Sequence, residues 1–254
     1  MSNKSRKNIP AGSPFLSVVV PCYNEEKLIE QTMKRVFEYL DSKKYPYEVI
    51  AVDDGSRDSS VLILKRLSQE NPNLKVLENR VNRGKGYSVR RGFLEATGRF
   101  VCFTDADLST PIEEIEKLLH WMDEGFDIAI GSRSIKGSQL EVHQHMWREY
   151  MGKTFNFFVQ RIAFSGIKDT QCGFKCFKKE TVKEIFSRQR IDGFSFDVEA
   201  LYIAKKLGYS IKEVPIKWVN RFESRVNPLI HPLQMMRDMI KMRIWDLRGL
   251  YSVK

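Results

Sequence analysis

An α/β fold built on a mainly parallel sheet is predicted by three features of this 254-residue chain. Short β-branched runs alternate with amphipathic stretches over about the first 130 residues. That is the pattern of strands joined by crossover helices covering both sheet faces. The runs close in polar clusters rather than in apolar turns, and the 42% hydrophobic content can supply one substantial core.

Residues 15–21, FLSVVVP, read as a first buried strand ended by Pro21. Helical spacing follows over 25–41 through Leu28, Met33, Val36, Phe37 and Leu40. YEVIAVDD (47–54) is a second strand, and a helix from about Asp58 carries Val61, Leu64 and Leu67. LKVLE (74–78) is a third strand; NRGKG (82–86) is a loop leading into a helix at about 87–96. RFVCFTDAD is a fourth strand, Pro111 opens the next helix, and FDIAIGSR (126–133) is a fifth strand. FSFDVEALYIAKKLG reads as a later helix with Leu201, Ala204 and Leu207 facing a core.

In open sheets of this kind ligands bind beyond the carboxyl ends of the strands. Those ends read PCYNEE, VDDGSRD, TDAD and GSR, which gathers acids, small residues and an arginine at one edge. Neither a glycine-rich dinucleotide fingerprint after the first strand nor a P-loop is present. The motifs thus argue against a dehydrogenase and against a P-loop NTPase.

The net charge of +10 favours anionic partners such as nucleic acid, acidic headgroups or phosphorylated metabolites. Nucleic acid is the weakest of these, since no aromatic RNA-binding motif or recognition-helix module accompanies the charge. The four cysteines, Cys22, Cys102, Cys172 and Cys176, include no CxxC pair and read as reduced, buried thiols. The first 14 residues are basic and polar without an apolar signal core, and no stretch reaches the roughly 20 apolar residues that span a bilayer. The expectation is a soluble or peripheral protein.

Asp105 and Asp107 stand one residue apart where the fourth strand closes, and side-chain alternation puts them on one face if the extended geometry persists. Their repulsion would be relieved by Mg2+ or Mn2+, hard cations that use one or two carboxylates and complete the shell with phosphates and water. The competing reading is a helix start, with Asp107 or Ser109 capping the helix near Pro111 and Glu113 and Glu114 complementing its dipole.

As an ordered set, VVVPCYNEE, IAVDDGSRDSS, ENRVNRGKGYSVRRGF, TDADLS and GSR resemble the nucleotide-sugar domain of family-2 glycosyltransferases. IKDTQCGFKCF and GFSFDVEALYIAKKLGYSIKEVPIKW are more similar to the dolichyl-phosphate glucose synthase branch than to the mannose branch. The resemblance runs from about residue 15 to about 248. It implies the GT-A fold, divided into a basic tail (1–14), a catalytic domain (15–227) and a C-terminal amphipathic helix (228–254). Within the domain, a nucleotide-sugar part spans about 15–135 and an acceptor part about 136–227.

By the same resemblance Pro21, Tyr23 and Glu25 line the nucleotide pocket and Asp53 meets the base. A carboxylate accepts an imide N–H of uracil or the N–H pair of guanine, so this contact does not identify the base. Asp105 lies near the ribose and, with Asp107, holds the metal; Lys85 reaches the nucleotide or its diphosphate. The bland readings are a packing aromatic for Tyr23 and a turn before Gly55 for Asp53 and Asp54. Arg133 suits phosphate through its planar fork, and Arg133, Lys175, Ser224 and Arg225 are the acceptor-binding candidates. Asp169, Asp197 and Arg133 are the catalytic candidates; an Asx-turn is the alternative for Asp169 and a dipole role for Asp197 and Glu199. Two departures stand out: Ser109 replaces a glutamine common in related mannose synthases, and ESRV (223–226) lacks the glycine of the G-S-K-L pattern.

The implied reaction is inverting transfer of a sugar, glucose from UDP-glucose in the first instance, to a polyprenyl phosphate on the cytosolic face of a membrane. A hydroxyl acceptor in solution or on a polysaccharide is the alternative. Residues 147–164 interleave aromatics with Arg148, Lys153 and Arg161. Residues 228–248 place Leu229, Leu233, Met236, Ile240, Ile244 and Leu247 on one stripe, with Arg237, Lys241 and Arg248 off it. Such a helix can rest in a membrane interface or simply pack on a core. Peripheral membrane contact, aided by an anchoring partner, is the expectation.

Overall fold

The computed structural model describes residues 13–140, 161, 166–219 and 231–252. Its centre is a seven-stranded sheet ordered β3-β2-β1-β4-β7-β5-β8. The strands are β1 (Leu16–Cys22), β2 (Tyr47–Asp53), β3 (Leu74–Glu78), β4 (Phe100–Thr104), β5 (Ile128–Ser132), β7 (Phe174–Lys178) and β8 (Ile211–Pro215). A short parallel pair, β6 (Gln139–Leu140) with β9 (Lys217–Trp218), stands beside it. The helices are α1 (Ile29–Asp41), α2 (Ser60–Glu70), α3 (Lys85–Glu95), α4 (Ile115–Asp123), α5 (Lys179–Phe186), α6 (Phe196–Lys206) and α7 (His231–Leu247).

Alternation along β1 explains the two-layered core. Val18 and Val20 join the cluster under α1, with Met33, Val36 and Leu40. Val19 points to the opposite cluster with Val89 and Phe93 of α3. Both faces of the strand are dry, so its run is continuously apolar, as buried parallel strands require.

The sheet is mostly parallel, as expected, but β7 enters antiparallel between β4 and β5. The first four residues of its sequence, FKCFK, are buried irrespective of polarity, so no polar-apolar alternation marks it as a strand. This insertion sets Cys102 opposite Cys176, and the two form a disulfide. The expectation of four free thiols is corrected to two, Cys22 and Cys172, both buried.

The fourth strand also ends sooner than expected, at Thr104. The Leu108 N–H donates to the Asp105 carbonyl at 3.0 Å, turning the chain at the acidic pair. Strand alternation therefore does not place Asp105 and Asp107 together; the turn does. No side-chain hydrogen bond caps the helical turn that follows Pro111, so the capping alternative fails as well.

The C-terminal helix resolves the choice posed by its sequence in an unexpected way. Met235, Met239 and Met242 bury one side of α7 against the body. Leu233, Ile240, Ile244 and Leu247 remain exposed on another. Met236 leaves the outer stripe and packs on the core. Leu229 and most of 147–164 lie outside the described residues, as do Ser224 and Arg225.

Candidate active site

The carboxyl ends of β1, β2, β4 and β5 share one edge, where the amino end of β7 also arrives. Among the described residues, the two non-glycine positions with positive φ are Asn24 (51°) and Leu108 (47°), both on this edge. Strain of this kind persists only where the surroundings impose it, and it clusters at functional sites.

The loop after β1 brings partly buried Tyr23 and Glu25 beyond Pro21. It is stitched to the loop after β2: the Asn24 N–H donates to Ser56 Oγ at 2.8 Å, and the Glu25 N–H to Ser60 Oγ at 2.7 Å. Asp53 ends β2 and is 1% exposed. Its Oδ2 accepts from the Gly55 and Ser56 N–H groups at 3.0 and 2.9 Å, which is the turn role. Its Oδ1 is buried without a hydrogen-bond partner. A buried acceptor left unpaired is costly, and a ligand N–H would satisfy it.

Asp54 does work that the sequence does not announce beyond a second acid before Gly55. Its Oδ1 accepts from Asn79 Nδ2 and the Arg83 N–H at 2.8 and 3.0 Å; its Oδ2 accepts from the Gly84 N–H at 2.8 Å. These bonds shape the NRGKG loop. Gly84 there has φ 103°, and a Cβ would fall 2.4 Å from the Asp192 carbonyl oxygen.

That loop delivers Lys85 to the acidic pair, with Nζ 2.5 Å from Asp105 Oδ1. Burial works against the lysine's charge, but Asp105, Asp197 and Asp107 outweigh it and hold its pKa above the usual value. Asp107 accepts from the Ser109 N–H and hydroxyl at 2.8 and 2.9 Å, so Ser109 orients the carboxylate. Burial, reinforced by Asp105, pushes the Asp107 carboxyl up. Asp107 thus gains from added positive charge. Gly173, just before β7, makes the arrangement possible: a Cβ there would lie 2.0 Å from Asp105 Oδ2.

Behind this cluster lies a buried ion pair. Lys175 Nζ is 2.5 Å from Asp197 Oδ1 and also donates to the Cys172 carbonyl at 2.6 Å. The two side chains are 1% and 5% exposed. Lys175, an acceptor-binding candidate, and Asp197, a catalytic candidate, thus pair with each other in this structure. Both ammoniums approach the Phe103 ring, Lys175 at 5.4 Å and Lys85 at 5.9 Å. Glu199, on the same helix, instead accepts from the Arg190 and Ile191 N–H groups and from Tyr251 Oη.

Arg133 and Asp169 meet at the end of β5. Nε and Nη2 donate to the two carboxylate oxygens at 2.7 and 2.9 Å, and the Arg133 N–H adds a third bond at 2.9 Å. Both oxygens of Asp169, a catalytic candidate, are engaged by the Arg133 guanidinium. Burial would raise its carboxyl, but Arg133 overrides this and holds it below the usual carboxylate range. A depressed folded-state pKa stabilises above the unfolded value of about 3.9, and that stabilisation is lost as pH falls through the folded value. Arg133→Gln leaves burial dominant and reverses the sign. The parent should lose Tm below about pH 4, whereas this group in the variant should favour folding on acidification to that point. Parallel Tm profiles between about pH 3 and pH 6 would contradict this assignment.

Among the described residues, no group of three His, Cys, Asp or Glu side chains could hold a metal ion. Two carboxylates nevertheless fit Mg2+ or Mn2+ when a diphosphate supplies the remaining oxygens. Asp105 and Asp107 would be the protein's share of that shell.

A mostly parallel sheet with paired acids at its carboxyl edge is the architecture of GT-A glycosyltransferases. Glucosyl-3-phosphoglycerate synthase from Mycobacterium tuberculosis, solved with Mn2+, UDP and glucosyl-3-phosphoglycerate, superposes with a TM-score of 0.65 at 20% identity, covering 96% of this chain and 82% of that one. The mannosyltransferase PcManGT from Pyrobaculum calidifontis, solved with GDP-Man and Mn2+, gives 0.57 at 21% identity, covering 94% and 66%.

The chain belongs to glycosyl transferase family 2, whose sequence profile matches residues 17–186. It is 35% identical over 257 residues to the dolichyl-phosphate beta-glucosyltransferase of Dictyostelium discoideum, spanning 96% of this chain and 79% of that protein. The Homo sapiens enzyme of the same name is 33% identical over 252 residues, spanning 94% and 78%. The protein is a glycosyltransferase, similar to these dolichyl-phosphate beta-glucosyltransferases.

Proposed function

We propose that the protein transfers glucose from UDP-glucose to a dolichyl or other polyprenyl phosphate, with inversion, at the cytosolic face of a membrane. The observation that carries the donor site is the convergence of Asp53, Asp105 and Asp107 on one sheet edge, with Asp53 Oδ1 buried and unpaired. The acceptor class rests on similarity along nearly the whole chain to dolichyl-phosphate glucosyltransferases. The nucleotide-sugar part of about 15–135 and acceptor part of about 136–227 belong to this reading.

In it, Asp53 receives the uracil imide N–H, with Pro21, Tyr23 and Glu25 around the base. Asp105 and Asp107 hold Mg2+ or Mn2+, which supplies charge neutralisation for the departing diphosphate. Lys85 adds a fixed cation at Asp105, and Gly173 keeps that carboxylate in place. Arg133, braced by Asp169, presents its remaining guanidinium edge to phosphate. The acceptor phosphate attacks the anomeric carbon opposite the leaving group. A phosphate monoester, with a second pKa of about 6, is mostly ionised at neutral pH and needs no strong base. That agrees with the engagement of Asp169 and Asp197 in ion pairs.

The exposed stripe of α7 supports contact with the membrane surface. Among the described residues no helix is long and apolar enough to cross a membrane.

Labelled UDP-glucose should be converted to a lipid-soluble product only with polyprenyl phosphate and a divalent cation, and chelator should stop it. Transfer to a soluble hydroxyl acceptor but not to polyprenyl phosphate would replace this reading with the second one. Asp53→Asn should raise KM for UDP-glucose about tenfold, the cost of one mispaired buried hydrogen bond, with a smaller change in kcat. An unchanged KM would remove Asp53 from the base pocket.

A further inference from the structure

The loop 190–194 stands off from one flank of α7 and encloses a cavity of about 340 Å3. Arg190, Arg237 and Lys241 contribute to its lining, together with the ring of Trp245. The acids at its wall each stand beside a cation, although Asp192 Oδ1 accepts no hydrogen bond. Asp192 pairs with Arg90 at 3.0 Å and Arg83 at 3.8 Å; Asp238 accepts from the Ser195 hydroxyl at 3.2 Å and has Arg237 at 3.9 Å. Arg190 and Lys241 form no ion pair among the described residues. The cavity therefore carries surplus positive charge.

Its wall is firmly built. Glu199 is 0% exposed and accepts the Arg190 and Ile191 N–H groups at 3.0 and 2.7 Å. The Tyr87 N–H donates to the Asp192 carbonyl at 3.1 Å, tying the same loop to the start of α3.

Its position on the helix is informative. Arg237 and Lys241 are spaced by four residues and share a face. That face lies between the cavity and the exposed stripe of Leu233, Ile240, Ile244 and Leu247. When an amphipathic helix lies in an interface, its apolar face enters the acyl boundary and its flanking cations sit at the level of the phosphates. A tryptophan lining the same space suits that depth.

We propose that this cavity receives the phosphate headgroup of an anionic membrane phospholipid whose acyl chains run along the outer stripe of α7. The proposal rests on the reading that the protein works at a membrane. Arg190 grips the phosphate through its planar fork and Lys241 adds a point charge. The volume lies within the roughly 300–1,000 Å3 usual for small-ligand pockets.

Flotation of the full chain with phosphatidylcholine vesicles, with and without phosphatidic acid, tests it. The parent should bind the phosphatidic acid vesicles preferentially. Arg190→Gln should weaken that binding about fivefold, one basic contact, whereas the charge-matched Lys65→Gln on α2 should change it by less than about twofold. Gly193→Leu provides a charge-neutral plug, because a Cβ at Gly193, which also lines the cavity, meets nothing within 4 Å. It should abolish the preference while leaving the Tm unchanged.

Equal losses for Arg190→Gln and Lys65→Gln would reduce the effect to diffuse charge and overturn the proposal, as would parental binding by Gly193→Leu. Binding of glycerol phosphate that is lost in Gly193→Leu, with no preference of the parent for phosphatidic acid vesicles, would assign the cavity to a soluble phosphate ester and also overturn it. Glucosyl transfer to detergent-solubilised acceptor, measured in parallel, bears on the proposed reaction and not on the cavity.

Discussion

Gly173→Ala is expected to lower kcat/KM for sugar transfer by about 100-fold, the scale of a 1 Å misplacement at a reacting centre. An added methyl would sit 2.0 Å from Asp105 Oδ2, so the carboxylate must move away from its place beside Lys85. The backbone at 173 is not in the left-handed region, so alanine meets no conformational objection of its own. The Tm should consequently change little. The double variant with Asp105→Ala distinguishes this mechanism from general damage: once the carboxylate is gone, the methyl should add almost no further loss. Gly173→Ala activity within twofold of the parent would show that Asp105 is free to relax without consequence.

Lys175→Met should be the most destabilising single change in the site, costing about 3–5 kcal/mol. It removes the partner of a carboxylate that is 5% exposed and leaves Asp197 charged and dry. For a chain of this size the drop in Tm should be on the order of 10 °C. Combining it with Asp197→Leu should restore much of that stability, because neither charge then needs burial. The restored protein should remain inactive if the pair positions Phe103 and Lys85 for catalysis. A Lys175→Met protein as stable as its parent would mean that water or another group neutralises Asp197.

The elements most legible in the sequence were those whose local signals agree. The valine run of β1, the helical spacing through Met33, Val36 and Leu40, and the acid-rich strand ends identified an α/β sheet and its working edge. The acidic pair was legible as chemistry but not as geometry. Asp105 and Asp107 come together through the turn at Leu108, whose positive φ is not a preference of leucine. β7 was hidden because FKCFK has no turn residue within it and pairs with strands distant in the chain.

The same distance concealed the partners of the ionic residues. Lys175 and Asp169 read as acceptor-binding and catalytic candidates in KDTQCGFK, and only tertiary packing reveals the partners that hold their charge. For Asp54 the sequence offers only the bland turn before Gly55, because nothing local shows that its two oxygens reach Arg83 and Gly84. The resemblance to family-2 enzymes points to residues of one sheet edge and is silent on the loop 190–194 and its opening beside α7.

The antiparallel insertion has a bearing on how the chain can be synthesised and cut. β7 is the seam that joins β4 to β5, so a nascent chain emerging up to residue 135 holds the four-stranded β3-β2-β1-β4 sheet and a lone β5, with an unfilled slot between them. Until residues 174–178 leave the ribosome, both flanks of that slot offer unpaired backbone groups to any neighbouring strand. Fragments of the chain ending near residue 135 should therefore aggregate, and a workable division lies beyond the seam.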